Sequence, residues 1–341
     1  MSSNRALWQD KPGIPGIIHE GTIPSGVPDD GILIRVYAWG INPADHMVQD
    51  VALPGITYPL ILGEDIAGVV KAVGSAAAPK YKVGDRVVGM ALGAVNFKPE
   101  HGAFQEHVIL DAKFSCKIPD SLPFTDAAVF PLCLMTAAHG LFSKDYLGLP
   151  FPSVDPASTG KSILVWSGSS GVGSNAIQLA KGAGFRVIAT CSPHNFDHVK
   201  SLGAEVVFDY NDPSTIDQIV AELDKGDCAG IYHAAGASTP SCQVARKSKQ
   251  DFLVASTNLI QEEDASGIRA KMIFASGGTV HYEAARRATF EKFLPEALSR
   301  GLYQISPVPE VISTKGVEGI QEGLDTLRKG VSAKKIVVEN I

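Results

Sequence analysis

The sequence predicts an α/β protein of two domains, one rich in short β-strands and one built around a doubly wound parallel sheet. A chain of 341 residues exceeds one typical domain and suits two. Up to residue 124 the apolar runs are short and separated by Gly and Pro, which is typical of a β-barrel. From there to about residue 301, apolar strands alternate with helical segments, which is typical of βαβ units. The predicted division is 1–125 with 302–341 for the β-rich domain and 126–301 for the α/β domain.

The individual elements follow from apolar periodicity and from the turn residues that bound each run. In the first part, strands are predicted at 31–37, 65–73, 85–88 and 104–110. In the second part, strands are predicted at 163–167, 186–189, 206–208 and 229–233, and helices at 125–142, 172–183, 195–202 and 214–224. Residues 149–160 are predicted to form a loop rich in Pro and Ser. A helix at 317–328 and a strand at 334–339 are predicted to return to the β-rich domain.

Composition excludes several classes of function. The formal net charge is −6 and Lys and Arg do not cluster, which argues against nucleic-acid binding. The N-terminal residues MSSNRALWQD lack the apolar core of a signal peptide, and no apolar run is expected to reach bilayer length. The five scattered cysteines do not suggest a disulfide framework. We therefore expect a cytoplasmic protein without a membrane or nucleic-acid partner.

Residues 162–184 carry a strand, a glycine turn and a helix in immediate succession. SILVW supplies the strand and VGSNAIQLAKGAG the helix, whose N-terminal N–H groups can bind a pyrophosphate. The same glycines also occur in tight turns of packed α/β domains. The ordered succession of strand, turn, helix and second strand favours cofactor binding. The predicted pyrophosphate-binding residues are Gly168, Ser169, Ser170, Gly171, Val172 and Gly173.

The end of the second strand bears on which dinucleotide is bound. An acidic residue that holds the ribose 2′-hydroxyl of NADH is expected about 20 residues beyond the turn. Ser192, His194 and Asn195 lie there instead. A carboxylate would repel a 2′-phosphate, whereas hydroxyl, imidazole and amide groups can donate to it. NADPH is therefore predicted, with these three residues as ligands; the alternative for His194 is a solvated surface residue.

Several motifs together resemble the medium-chain dehydrogenase/reductase superfamily over nearly the whole chain. These motifs are AWGINPADH, LGEDIAGVVKAVGS, VGDRVVG, GAFQEHV, SGSSGVGSNAIQLAKGAG and the closing LRKGVSAKKIVVE. The resemblance implies a GroES-like catalytic domain and a Rossmann cofactor-binding domain. Within the superfamily, TCSPHNFDHVKSLGAEVVFDY and LGLPFPS look like the fungal trans-acting enoyl reductases of polyketide pathways, relatives of the zinc-free quinone oxidoreductases.

The sequence departs from the zinc-binding members of this superfamily. Where those members hold zinc through Cys, His and Cys, the matching places here are Asn42, Glu64 and, approximately, Leu132. Without two thiolates and an imidazole a tetrahedral nitrogen and sulfur site cannot be assembled there, and no metal is predicted. Without that Lewis acid, the resemblance implies reduction of a C=C bond conjugated to a carbonyl, in which the nicotinamide supplies the hydride.

The resemblance also implies the residues nearest to the chemistry. Asn42 is predicted to donate to the substrate carbonyl or the nicotinamide ribose, although Asn-Pro is also a common turn. His46 is a candidate proton donor. Thr136 is predicted to bond the cofactor, or else to bond back to its own helix. Tyr210, at the end of the third strand, is predicted to contact the adenosine phosphate, or else to pack on the sheet.

The predicted function is that of a zinc-independent, NADPH-dependent reductase of an activated C=C bond in an enoyl, enone or quinone substrate. The substrate is small or carrier-bound, and a polyketide synthase of secondary metabolism is the candidate partner. Two alternatives stay open. One is the same fold running ketone reduction or a non-redox reaction, and the other is a protein that binds NADPH without turnover.

Overall fold

The computed structural model describes residues 3–52, 55–96, 98–274 and 280–340. Its strands are β1 (Ser3–Gln9), β2 (Ile17–Thr22), β3 (Gly31–Gly40), β4 (Leu60–Ile61), β5 (Asp65–Val73), β6 (Arg86–Met90), β7 (His107–Asp111), β8 (Ser115–Lys117), β9 (Ser162–Trp166), β10 (Arg186–Cys191), β11 (Ala204–Asp209), β12 (Cys228–His233), β13 (Leu253–Ser256), β14 (Arg269–Met272), β15 (Val308–Val311) and β16 (Lys334–Glu339).

Its α-helices are α1 (Pro43–Asp50), α2 (Gly93–Asn96), α3 (Phe124–Ala127), α4 (Pro131–Phe142), α5 (Gly171–Gly182), α6 (Phe196–Ser201), α7 (Thr215–Leu223), α8 (Thr239–Lys247), α9 (Glu262–Ala265), α10 (Val280–Arg286), α11 (Leu294–Ser299) and α12 (Glu318–Arg328). Short 3-10 turns lie at Pro99–His101, Ala112–Phe114 and Pro193–Asn195, and a π-helical segment lies at Arg287–Phe293.

The chain divides into two compact units. The β unit comprises Met1–Leu132 and Val308–Ile341, and the α/β unit comprises Cys133–Pro307. Both boundaries lie a few residues beyond the predicted ones at 125 and 301. Helix α3 accounts for the first difference, because Phe124 stacks on Tyr37 of β3 with a ring-centroid distance of 4.9 Å. This contact places the whole of α3 in the β unit.

The β unit is built on a sheet of strands in the order β15-β16-β3-β5-β6-β8, with β7 also paired to β3. The predicted return strand is confirmed: β16 pairs antiparallel with β3, with Val337 opposite Gly40. A second, smaller sheet has the order β2-β1-β4. Its hairpin of β1 and β2 was missing from the sequence prediction. The core includes Trp39, which is fully buried and donates its indole N–H to the carbonyl of Ala103 at 2.8 Å.

The α/β unit contains a parallel sheet in the order β11-β10-β9-β12-β13-β14. Every neighbouring pair in this sheet is parallel. Counted from β9, the order is the 3-2-1-4-5-6 arrangement of a doubly wound dinucleotide-binding fold. The strand order reverses between β9 and β12: β10 and β11 lie on one side of β9, and β12, β13 and β14 lie on the other. Folds of this class bind a ligand at that point. The predicted fold class is confirmed.

The segment predicted as one helix at 125–142 is two helices, α3 and α4. Pro131 begins α4, as expected because proline lacks the N–H that a helix interior requires. The segment Phe124–Phe142 is also long and apolar enough to cross a membrane, with a mean hydropathy of 1.3. This corrects the expectation that no apolar run reaches bilayer length. Of that stretch, 72% is buried inside the protein, as in the core helix of a globular fold.

Candidate functional site

The glycine turn connects β9 to α5 within the α/β unit. Ser167 begins it with a φ of 62°, in the left-handed region. Ser170 is the N-cap of α5: its hydroxyl accepts from the backbone N–H of Gly173 at 3.0 Å and donates to the carbonyl of Ser167 at 2.8 Å. The cap satisfies one of the four unpaired N–H groups of the helix. The N–H groups of Gly171 and Val172 precede it and suit an anion.

Glycine is required in this turn because the backbone packs closely against its surroundings. A Cβ on Gly173 would lie 2.2 Å from the carbonyl oxygen of Ser167, and a Cβ on Gly168 would lie 2.9 Å from the Cδ1 of Ile177. At Gly171 a Cβ would lie 2.8 Å from the Sγ of Cys133. The three predicted glycines therefore serve the close approach of strand, turn and helix that a dinucleotide fold needs.

The end of β10 lies against the same turn. The backbone N–H of Ser167 donates to the hydroxyl of Thr190 at 3.0 Å, and that of Gly168 donates to the carbonyl of Thr190 at 2.7 Å. Two residues later, the hydroxyl of Ser192 lies 2.6 Å from the hydroxyl of Tyr210 at the end of β11. Two predicted cofactor ligands from different strands are thus brought together.

The turn after Ser192 holds the other two predicted ligands. Asn195 is buried, and its Nδ2 has no hydrogen-bond partner among the described residues. His194 is exposed beside it. Buried amide donors are normally paired, so this unpaired one, three residues after Ser192 in the chain, is a candidate donor to a bound ligand. The hydroxyl, amide and imidazole groups of these residues can all donate hydrogen bonds to a phosphate.

Sequence reasoning missed one acidic residue in this neighbourhood. Asp209 lies beside Cys191 in the register of β10 and β11. Its carboxylate accepts from the backbone N–H of Asn211 at 2.9 Å and from the Nδ2 of Asn211 at 3.0 Å. The acid that binds a ribose hydroxyl is expected at the end of the second strand of the sheet, β10, whereas Asp209 ends the third, β11. Burial, with a smaller effect from Asp209, raises the pKa of the Cys191 thiol to about 12.

Asn42 lies in a buried polar network of the β unit. Its Nδ2 donates to Asp65 at 3.0 Å, and its Oδ1 accepts from the ammonium of Lys335. Lys335 also donates to Asp65 at 2.8 Å, and the backbone N–H of Leu132 donates to the second oxygen of Asp65 at 2.7 Å. Asn42 is only 1% exposed. Its amide is therefore engaged within the protein, and its predicted catalytic role stays a prediction.

Two more carboxyl groups surround this ion pair. Asp45, the third residue of α1, accepts from the backbone N–H of Asn42 at 2.7 Å. Burial raises the pKa of Asp45 to about 7. Burial, with the nearby carboxyl groups of Asp45 and Asp65, raises the pKa of Glu64 well above its ordinary range. Asp65 forms the ion pair with Lys335, and burial favours the neutral form of the other two carboxyl groups.

The zinc-ligand positions of the resembling superfamily meet in this network. Asp65 binds both Asn42 and Leu132, and Glu64 precedes it in the chain. The groups that meet here are a side-chain amide, carboxyl groups, a backbone N–H and an ammonium, and none of them is a thiolate or an imidazole. No group of three His, Cys, Asp or Glu side chains suited to a metal occurs among the described residues. The residues do not fit a tetrahedral zinc.

Within the described part of the chain, the side chains of two predicted catalytic residues, His46 and Thr136, form no hydrogen bond with the groups of these clusters. His46, on α1, is half-buried with its Nδ1 3.4 Å from the carboxylate of Asp50. Thr136, on α4, is partly accessible, and its carbonyl accepts from the hydroxyl of Tyr232 at 2.9 Å. His46 belongs to the β unit and Thr136 to the α/β unit. Their catalytic roles stay predictions.

Two family models match the chain. The alcohol dehydrogenase GroES-like domain matches residues 28–120, and the zinc-binding dehydrogenase domain matches residues 171–283. Among curated relatives, Dehydrogenase azaJ of Aspergillus niger is 42% identical over 333 residues, covering 94% of each protein. Trans-enoyl reductase himH of Aspergillus japonicus is 39% identical over 341 residues, covering 98% of this chain and 97% of the relative.

Solved structures show the same fold. An alcohol dehydrogenase superfamily protein from Novosphingobium aromaticivorans has a TM-score of 0.77 at 23% identity and covers 99% of this chain and 100% of that one. A mycobacterial protein complexed with NADPH has a TM-score of 0.72 at 23% identity, covering 99% and 100%. At these identities the likeness extends to the fold alone.

Proposed function

The chain belongs to the medium-chain dehydrogenase/reductase superfamily of oxidoreductases, and we propose that it is a zinc-independent, NADPH-dependent reductase of an activated C=C bond. The observation that carries the cofactor choice is the donor set after β10. Ser192 and Tyr210 share a hydrogen bond there, and Asn195 keeps a buried amide donor unpaired. All three side chains can donate to a 2′-phosphate, which favours it over a 2′-hydroxyl although the carboxylate of Asp209 precedes Tyr210 in the chain.

The proposed cofactor residues divide into two groups. The N–H groups of Gly171 and Val172, at the start of α5, would hold the pyrophosphate. Ser192, Asn195 and Tyr210 would hold the 2′-phosphate. When bound, NADPH supplies the hydride, and the protein provides position and hydrogen bonds.

The reaction class rests on the relatives and on the polar network around Asp65. A relative 39% identical over nearly the whole chain bears the name trans-enoyl reductase. The superfamily's zinc positions hold groups that do not fit zinc, so a carbonyl oxygen would have to be polarised by hydrogen-bond donors. That requirement suits addition of hydride to an alkene conjugated to a carbonyl, where the developing enolate needs only modest stabilisation. The substrate we propose is an enoyl thioester, small or bound to a carrier domain.

NADH is the second candidate cofactor, and Asp209 is the observation that favours it. A carboxylate at the end of the neighbouring strand can accept from a ribose hydroxyl. One oxygen of this carboxylate accepts both hydrogen bonds from Asn211, and the residue ends the third strand, whereas a ribose-binding acid is expected at the end of the second; NADH is therefore the weaker candidate.

Calorimetric titration with NADPH and NADH tests the cofactor choice. Wild type should bind NADPH at least about tenfold more tightly than NADH. Ser192→Asp should weaken NADPH binding by about tenfold or more and NADH binding much less, because the new carboxylate repels only the 2′-phosphate. Asp209→Asn is the matched variant: it should leave the preference for NADPH in place. Equal losses for both cofactors in Ser192→Asp, or a loss confined to NADH in Asp209→Asn, would contradict the proposal.

A turnover assay tests the reaction class. Purified protein with NADPH should reduce a crotonyl thioester of N-acetylcysteamine, an enone or a quinone, measured as the loss of cofactor absorbance. Turnover confined to saturated ketones would favour the ketone-reductase alternative. Tight NADPH binding without turnover of any acceptor would identify a binding protein.

A further inference from the structure

The α/β unit carries a surface groove of about 310 Å³ beside its π-helical segment. We call it the basic groove. Its lining residues on the helical side are Val280, Glu283, Ala284, Arg287, Ala288 and Lys292. Phe151, from the loop that precedes β9, closes the other side. π-Helical segments are rare and often occur at functional sites.

The apolar part of the basic groove is exposed and held in place. Val280 is 82% exposed and Phe151 is 49% exposed. The ring of Phe151 packs edge-on against Phe142 of the core helix α4, with a centroid distance of 6.1 Å. Phe151 is therefore a fixed wall, and the groove has room for one or two large apolar side chains.

The charged part of the basic groove has a net positive charge. Arg286 pairs with both Glu283 and Glu291, which leaves one negative charge in that trio against the two cations of Arg287 and Lys292. Arg286 is only 2% exposed, and it binds Glu283 at 3.0 Å and Glu291 at 2.8 Å. Arg287 and Lys292 are exposed and form no ion pair with any residue in the described part of the chain. Two unpaired cations thus flank an apolar cleft on a protein whose net charge is −6.

We propose that the basic groove docks an acidic, amphipathic helix of the carrier domain that delivers the substrate. This inference rests on the proposed function. Carboxylates on the helix would pair with Arg287 and Lys292, and one or two of its large apolar side chains would enter between Phe151 and Val280. Charge complementarity favours an acidic helix. A basic partner would be repelled by the two cations, and a neutral partner would form no ion pair with them.

The experiment compares two forms of one substrate. One is a type II acyl carrier protein loaded with a crotonyl group, and the other is the crotonyl thioester of N-acetylcysteamine, which has no carrier to dock. The double variant Arg287→Glu with Lys292→Glu reverses both cations. The control, Lys161→Glu with Lys249→Glu, makes the same change in charge at exposed lysines of the same unit that form no ion pair with described residues. Val280→Ser tests the apolar side of the groove.

Reversal of the two groove cations should raise the KM for the loaded carrier at least about tenfold and leave turnover of the small thioester within about twofold. Binding of fluorescently labelled apo carrier protein should weaken in parallel, and the control should match wild type. Equal effects on both substrates, unchanged binding of the carrier protein, or binding of anionic lipid vesicles in place of the carrier would overturn the proposal. If wild type binds the carrier but reduces neither substrate, the proposed reaction fails and the docking assignment stands.

Discussion

Asp45 should make the β unit less stable as pH rises from 4 to 7. Burial raises the pKa of its carboxyl from an ordinary 3.8 to about 7 in the folded protein. The folded state therefore binds the proton of Asp45 more tightly than the unfolded state does. The contribution of Asp45 to the free energy of unfolding is fully favourable below pH 4 and is lost as pH rises towards 7. Each pKa unit is worth about 1.4 kcal/mol, so ionisation of Asp45 costs up to about 4 kcal/mol at neutral pH.

Asp45→Asn removes this titration and keeps the acceptor for the N–H of Asn42. The variant should match wild type near pH 4 and exceed its free energy of unfolding near pH 7.5 by up to about 4 kcal/mol. Urea unfolding followed by tryptophan fluorescence suits the test, because Trp8 and Trp39 both lie in the β unit.

The control for this experiment is Asp10→Asn, at an exposed position of the same unit. It should shift stability by no more than about 0.5 kcal/mol at any pH. Parallel stability profiles of Asp45→Asn and wild type between pH 4 and pH 7.5 would contradict a raised pKa of Asp45. A variant less stable than wild type at neutral pH would contradict it equally.

Two further predictions concern the glycine turn and the superfamily's zinc positions. Gly173→Ala places a Cβ about 2.2 Å from a backbone oxygen, so it should lower the free energy of unfolding by about 1–3 kcal/mol and weaken NADPH binding in calorimetry. Gly226→Ala, whose Cβ would meet nothing within 4 Å, should do neither; similar losses in both variants would contradict this account. Metal analysis of the purified protein should find well below one equivalent of zinc, and chelators should leave turnover unchanged. One tightly held equivalent would show that the donor set around Asp65 accepts zinc after all.

The buried network around Asp65 gives the zinc-site residues of the superfamily a different use here. Asp65 accepts three hydrogen bonds through its two oxygens, from Asn42, Leu132 and Lys335. Lys335 comes from β16, so its ion pair with Asp65 joins β16 to the start of β5, and its hydrogen bond to Asn42 joins β16 to the loop before α1. A buried, fully hydrogen-bonded ion pair of this kind is costly to break from either side.

The order of elements and the class of the fold follow from the amino-acid sequence alone. Apolar runs of strand and helix period recur where the structure has β9, α5 and β10, because each element must bury one face. The glycine turn could also be predicted from the sequence. Only glycine fits at Gly173, because a Cβ there would lie 2.2 Å from a carbonyl oxygen. The hairpin of β1 and β2 was missed because β2 is almost entirely exposed and so lacks an apolar alternation.

Contacts between side chains distant in the sequence, and the protonation and hydrogen bonding that result from them, follow from the three-dimensional fold. Ser192 and Tyr210 are 18 residues apart and touch because β10 and β11 are neighbours in the sheet. Lys335 reaches Asp65 and Asn42 across nearly the whole length of the chain. Hydrogen bonds and desolvation depend on position in space, whereas periodicity depends on position in sequence. Residue types therefore indicated the kinds of group available. The fold engages the amide of Asn42, leaves the Nδ2 of Asn195 without a partner among the described residues, and raises the pKa of Asp45 to about 7.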